Sequence, residues 1–308
     1  MTPTVVRLRF SCRIVAARRL TAGLLPLLLA CGEPYPSGPP APPIVTANPA
    51  TPPPAVPKAA GPFIHLADAG GTVRSRLTEG NWPSWSPDGR RIAFERNGRI
   101  LVIDIDGANE KELALGRWPA WSPDGTRIAF VADRAIRVVN ADGSSVRRVL
   151  SPKPDIEGLA YDVDEIVWSP DGTLVAFRMW SFDWFSVIVV AAADGTGERN
   201  LTTAAESGDQ DGPAWSPDGS RLVYWGTGIG LATIDRNGEN NCPLDGTLHV
   251  GFNSRPAWTP DGQAITFTLF DGPILIMPLN GGPARVLIQD AREGAWSADG
   301  RSIAFVRN

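Results

Sequence analysis

Short apolar runs recur along this chain from residue 63 onward, each bounded by turn residues. Arg91-Ile92-Ala93-Phe94-Glu95 sets one such run between charges, and its counterparts are Ile128-Ala129-Phe130, Val175-Ala176-Phe177, Leu222-Val223-Tyr224, Ile265-Thr266-Phe267 and Ile303-Ala304-Phe305. Runs this short, rich in β-branched and aromatic residues and hemmed by Gly, Pro and Asp, predict strands rather than helices. Residues 82–115 resolve into four of them: Trp82–Trp85, Arg91–Glu95, Ile100–Asp104 and Lys111–Leu113. Ser86-Pro87-Asp88-Gly89 and Asp106-Gly107 supply two of the turns. Proline presets one dihedral there, and glycine accepts a positive φ.

A tryptophan opens every copy of the first turn. Trp85-Ser86-Pro87-Asp88-Gly89 returns at Trp121, Trp168, Trp215, Trp258 and Trp296, with Thr259 for serine in the fifth copy and Ala298 for proline in the sixth. The steps are 36, 47, 47, 43 and 38 residues, close to the roughly forty residues of a four-stranded propeller blade. A unit of that size cannot cover its own apolar faces and must stack on neighbours. The sixth unit runs out at Asn308 after its second strand, and the missing half stands at the other end. Phe63–Ala67, Gly70-Gly71 and Val73–Leu77 read as third strand, turn and fourth strand. The prediction is an all-β, six-bladed β-propeller over residues 63–308, closed by pairing of its N- and C-terminal strands so that no sheet edge is left open there.

The phrase Trp-Ser-Pro-Asp-Gly-x-x-Ile-Ala-Phe resembles the WD-like repeat of the TolB propeller family, over nearly all of residues 63–308. The resemblance implies a propeller of the bacterial envelope with protein partners. TolB also carries an N-terminal α/β domain, which is not expected here, so TolB's own role does not carry over. Similar blades occur in prolyl-oligopeptidase-type enzymes, which add a hydrolase domain with a Gly-x-Ser-x-Gly motif. This sequence holds no such motif.

Composition changes upstream of the strands. Arg7, Arg9, Arg13, Arg18 and Arg19 precede an 11-residue apolar run, Leu20–Ala30, and no acid appears before Glu33. The run is too short to span a bilayer and reads as the apolar region of a signal peptide. Leu28-Leu29-Ala30-Cys31-Gly32 resembles the bacterial lipobox, which implies that residues 1–30 are a lipoprotein signal peptide and that Cys31 is acylated. Gly32, not the aspartate of inner-membrane retention, favours the periplasmic face of the outer membrane. Residues 31–62 then form the lipidated cysteine and a tether, with 12 prolines among the 30 residues from Glu33 to Pro62. Extended as polyproline II at about 3.1 Å per residue, that segment reaches roughly 90 Å. Loss of the signal leaves 24 basic against 33 acidic residues, a net charge of −9. An acidic body disfavours nucleic acid and anionic headgroups, so membrane is reached through the anchor alone. With Cys12 in the signal and Cys31 acylated, only Cys242 is left and no disulfide is expected.

Little in the repeats points to catalysis. Asp88, Asp124, Asp171, Asp218, Asp261 and Asp299 recur once per blade, and an aspartate before glycine caps its own turn. Asp104-Ile105-Asp106-Gly107 begins like a calcium loop but lacks the twelfth-position glutamate. The two histidines, His65 and His249, do not make a metal site. No cofactor, no metal and no enzymatic activity are expected. The informative residues are the five tryptophans outside the repeat: Trp82, Trp118, Trp180, Trp184 and Trp225. Strand direction puts them on the face of the inter-blade connections, with Asp162, Asp164, Asp209 and Asp211 around them, and Glu165, Glu206, Asp290, Glu293, Arg117, Arg255 and Arg292 nearby. Amphipathic rings beside charge are the material of recognition surfaces. The sequence therefore points to a monomeric, lipid-anchored envelope module that binds a protein or peptide through these five tryptophans and four aspartates. The alternatives are a carbohydrate-binding or carbohydrate-processing propeller, with carboxylates as acid and base, and a hydrolase with metal ions held by Asp and Glu in the channel.

Overall fold

The structure, a computed structural model, describes residues 61–152, 161–181, 185–203, 209–245, 255–268, 272–280 and 282–307. The expected signal peptide, Cys31, almost all of the tether, Trp184, Glu206 and His249 lie outside the described residues.

The chain opens with β1 (Phe63–Asp68) and β2 (Val73–Glu79), and then builds complete antiparallel sheets in sequence. The first is β3 (Asn81–Trp85), β4 (Arg91–Arg96), β5 (Arg99–Asp104) and β6 (Lys111–Leu115). The second is β7 (Arg117–Trp121), β8 (Arg127–Ala132), β9 (Ala135–Asn140) and β10 (Arg147–Leu150). In the third, β11 (Tyr161–Trp168), β12 (Leu174–Ser181) and β13 (Ser186–Ala192) precede the short β14 (Arg199–Asn200). The fourth holds β15 (Gln210–Trp215), β16 (Arg221–Gly226), β17 (Gly230–Asp235) and β18 (Cys242–Asp245). The fifth holds β19 (Ala257–Trp258), β20 (Ala264–Thr268), β21 (Ile274–Pro278) and β22 (Arg285–Ile288). The last strands, β23 (Arg292–Trp296) and β24 (Ser302–Arg307), join β1 and β2 in the order β2-β1-β24-β23. Among the described residues these are six four-stranded blades and no helix.

Closure follows the expected strands in a regular register. Phe63 faces Arg307, and the pairing continues without a break to Asp68 opposite Ser302. The apolar core lies between blades. Ala93, Ile100 and Val102 pack against Trp121, Ile128, Phe130 and Val139 of the next blade. Ile64, Ala304 and Val306 of the closing blade pack against Ile92, Phe94, Leu101 and Ile103 of the first. Phe94, Phe130, Phe177 and Phe305 are fully buried at equivalent positions, which is why the Ile-Ala-Phe phrase recurs. The repeat tryptophans also bridge blades: Trp85 Nε1 donates to Ala295 O at 3.0 Å and Trp168 Nε1 to Ala120 O at 3.1 Å. An arginine of the preceding blade covers the ring in two cases, Arg91 over Trp121 at 4.8 Å and Arg127 over Trp168 at 5.2 Å.

Each Trp-Ser-Pro-Asp-Gly turn is pinned by its hydroxyl. In the second blade Ser122 Oγ donates to Asp124 Oδ1 at 2.5 Å and accepts from Arg127 N at 3.0 Å, while Asp124 Oδ1 also accepts from Thr126 N at 3.0 Å. Thr259 does the same work in the fifth blade, with Asp261 at 2.6 Å and Ala264 N at 3.0 Å. The glycines that end the turns have φ between 68° and 70°, the left-handed region that costs glycine nothing. The once-per-blade aspartates are thus turn residues, and the Ser122 hydroxyl, ahead of the Thr126 amide, pulls the Asp124 pKa down to about 2.

Candidate functional site

The innermost strand of a blade carries one more residue than its partner can pair. Asn81 faces Glu95 and Ser84 faces Ala93, so three steps on β3 match two on β4. The same mismatch lies between Arg117 and Ala120, Asp164 and Val167, Asp211 and Ala214, and Arg292 and Ala295. These are β-bulges, which bend a strand and re-aim a side chain. The residue at the bulge has a positive φ each time: Trp82 54°, Trp118 61°, Glu165 54°, Gly212 64° and Glu293 56°. Each stands three residues before its repeat tryptophan, and Arg255 holds that place in the fifth blade. Six equivalent positions therefore ring one end of the central channel, a cavity of about 500 Å³. Pro87, Pro170, Pro217 and Pro260 line its other end.

Ring residues lock to one another across blade boundaries. Glu165 Oε2 accepts from Gly212 N of the next blade at 2.6 Å, and Glu293 Oε2 accepts from Trp82 N of the next blade at 2.7 Å. Trp82 and Trp118 stack with centroids 3.8 Å apart and planes at 29°. Arg255 reaches across the channel to this pair, its Cζ lying 4.0 Å from the Trp82 centroid and 3.8 Å from that of Trp118. Its Nε lies 3.5 Å from Glu165 Oε1. Gly212 is required for packing: a Cβ there would lie 2.6 Å from Pro256 Cδ and 3.1 Å from Arg255 Cα.

Behind the ring, Arg178 on β12 holds a second set of charges. It grips Asp164 through Nε at 2.7 Å and Nη2 at 2.9 Å, and gives its Nη1 to Asp211 Oδ1. Trp180 Nε1 donates to the same Asp164 at 3.0 Å. Asp164, Glu165, Asp211 and Glu293 are all buried. Burial pushes the carboxyls of Asp164 and Glu293 up, and burial with the neighbouring charge of Glu165 pushes Asp211 up to about 6. Burial pulls Arg255 below the ordinary arginine range, against Glu165 and Glu293. Among the described residues no group of three or more His, Cys, Asp or Glu is placed to hold a metal ion.

The structure sorts the residues singled out in the sequence. Trp82 and Trp118 sit in the ring, while Trp180, Asp164 and Asp211 lie immediately behind it. Asp162 is not part of the channel lining: it is half-buried and accepts from Arg117 Nη2 of the preceding blade at 2.6 Å. Asp209 is half-buried, and its carbonyl accepts from Thr227 N at 2.8 Å. Trp225 is 6 % exposed and packs with Val223, Leu231, Ile265 and Phe267, so it belongs to the core between blades rather than to the surface. Asp164 and Asp211 are likewise buried. Arg178 and Gly212 did not stand out in the sequence; Glu165, Arg255 and Glu293 were placed on this face, but not at the ring position they share with Gly212.

Residues 72–248, more than half of the chain, match the family model for the TolB β-propeller domain. No curated protein matches the chain in sequence. A putative TolB from Agrobacterium tumefaciens is 21% identical with a TM-score of 0.64, over 80% of this chain and 98% of that one. TolB from Acinetobacter baumannii is 18% identical with a TM-score of 0.51, over 80% and 65% of the two chains. An oligogalacturonate lyase in complex with manganese is 16% identical with a TM-score of 0.53, over 76% and 79%. At these identities the likeness is one of fold.

Proposed function

The chain belongs to the TolB β-propeller domain family, and from that premise we propose that it is a binding module of the bacterial cell envelope. In this reading a lipid on Cys31 holds it to the periplasmic face of the outer membrane, as a monomer, and a protein or peptide docks at the bulged mouth of the channel. The observation that carries the proposal is the contrast between the two ends. One end repeats a single turn in all six blades, pinned by the same serine or threonine. The other presents Trp82, Trp118, Glu165, Gly212, Arg255 and Glu293 from equivalent places. A non-glycine residue in the left-handed region costs about 1–2 kcal/mol, and four of these six places, Trp82, Trp118, Glu165 and Glu293, carry that strain at the channel mouth. Stacked indoles beside charge on a rigid frame supply anchors of the kind that dominate protein recognition. The role is that of a receptor without catalysis. The sugar-platform alternative has less support, because Trp82 and Trp118 stack on each other and do not lie open side by side.

Crosslinking capture from envelope membranes tests this, using the intact lipoprotein beside Trp82→Ala/Trp118→Ala. The expected result is a partner captured by the parent and lost from the double variant, with circular dichroism showing both proteins folded. Equal capture of the same partner by the folded double variant would overturn the assignment of the mouth. Cys31→Ala tests the anchor separately: the protein should leave the membrane fraction on a salt wash.

A further inference from the structure

The channel mouth already contains a cation. Arg255 sets its guanidinium against the Trp82–Trp118 pair, about 4 Å from each ring centroid, with Glu165 Oε1 3.5 Å from Nε. That Nε has no hydrogen-bond partner among the described residues. Arg178, a few ångströms behind the ring, is held quite differently, by hydrogen bonds of 2.7 and 2.9 Å to Asp164 and another to Asp211. One arginine is bolted in place; the other is lodged in a cage. The cage does not depend on its occupant, because Glu165 and Glu293 are fixed by the Gly212 and Trp82 amides and the indoles stack on each other.

The chemistry of that cage selects for positive charge. The faces of tryptophan carry negative potential and attract guanidinium or ammonium groups. Four buried carboxylates, Asp164, Glu165, Asp211 and Glu293, surround Arg178 and Arg255, with Arg292 Nε 3.5 Å from Glu293. Asp211 Oδ2 is buried without a hydrogen-bond partner among the described residues, in a side chain only 3% exposed. An incoming carboxylate would find Arg255 as a welcoming group and Glu165 beside it as a repelling one.

We infer that the mouth is a subsite for a basic side chain, arginine or lysine, and that Arg255 is its resident stand-in, displaced when the cation of a docking segment enters. The inference rests on the proposed binding role and narrows it to a partner whose docking segment presents a basic residue. Binding is then a guanidinium exchange on the tryptophan pair, with Arg255 acting as a built-in competitor that sets a threshold for affinity.

The test uses the full chain and N-acetylated tripeptide amides of sequence Gly-X-Gly, with X as Arg, Lys, Ala or Glu, followed by calorimetry and tryptophan fluorescence. The parent should bind the Arg and Lys peptides weakly and the Ala peptide not at all. Arg255→Gln, which removes the charge and shortens the side chain so that the ring pair is vacated, should bind the Arg peptide at least tenfold more tightly. Trp118→Ala in that background should abolish the gain. Should Arg255→Gln not fold, Arg255→Met makes the same comparison. Equal binding of all four peptides, no gain on removing the Arg255 charge, or tight binding of the Glu peptide that Arg255→Gln destroys would each overturn the inference. The binding role fails separately. If the parent captures a partner through Trp82 and Trp118 but excess acetyl-arginine amide does not compete, the module stands and the cation subsite falls.

Discussion

Deleting Ser302–Asn308 strikes the strand on which ring closure rests. β24 is an inner strand of the closing blade, paired with β1 on one side and β23 on the other. Ile303, Ala304, Phe305 and Val306 are at most 1 % exposed. Full burial of a large apolar side chain contributes about 1.5–3 kcal/mol, so Ile303, Phe305 and Val306 together supply roughly 5–9 kcal/mol. Compact denatured states make that an upper estimate. β1 and β2 lose their attachment in the same stroke, and Ile64 loses Ala304 and Val306 as packing neighbours. A domain typically has about 5–15 kcal/mol in total, so the truncated chain should fall near or below the folding threshold. Thermal unfolding by circular dichroism and scanning calorimetry should show no cooperative transition, and a synthetic Ser302–Asn308 peptide should restore one in trans. A truncated protein melting within a few degrees of the parent would refute the reasoning. A milder probe is Phe305→Ala, which should cost about 3–5 kcal/mol, the same as Phe94→Ala at the equivalent place.

Three further outcomes follow from the geometry. Ser122→Ala should cost about 1 kcal/mol, because it removes the hydroxyl that accepts from the Arg127 amide in a half-buried turn. It should also move the Asp124 titration, followed by NMR, upward from about 2, whereas Ser122→Thr should be tolerated, as Thr259 shows. Asp211 titrates near 6 when folded against 3.8 as its ordinary value, so the folded state takes up the proton first and stability falls as pH rises through 6. His65, whose pKa is lowered by burial and then by Arg307, acts in the opposite sense. The Asp211 part is therefore read as a difference: between pH 7 and pH 5 the melting temperature of the parent should rise relative to that of Asp211→Asn. Gly212→Ala should destabilise by roughly 2–4 kcal/mol in chemical denaturation, from its left-handed φ and the clash with Pro256.

The sequence made the blades legible because the same physical demand repeats six times. Each Ile-Ala-Phe run must fill one inter-blade layer, and each turn phrase must reverse the chain in the same space. The closing pair was legible for the same reason, since Phe63–Ala67 has the pattern of a third strand without a first. Trp82 and Trp118 stood out because they break the repeat. Glu165, Arg255 and Glu293 share their offset from the repeat tryptophan, and aligning the six phrases would have exposed it. The bulge that aims them leaves no trace in composition, because the extra residue lies between two phrases that stay in step. Arg178 could not be found that way: it stands opposite Asp164 only through the β11–β12 register. Trp225 misled because the end of a strand looks exposed in sequence, while here it packs beneath the next blade.

The bulges have a consequence for how such a protein changes over generations. The ring residue is one of the two that the ladder skips, so replacing it alters the mouth while every strand pair stays as it was. A blade copied by duplication would inherit its strands and its turn intact and bring one unassigned position to the channel. Divergence can then proceed one blade at a time, through a short register of positions 82, 118, 165, 212, 255 and 293. Of these, only 212 is constrained by its neighbours to remain glycine. Lineages that share the blade phrase can drift apart in what they hold, provided that the inter-blade bonds made by Glu165 and Glu293 are kept or replaced.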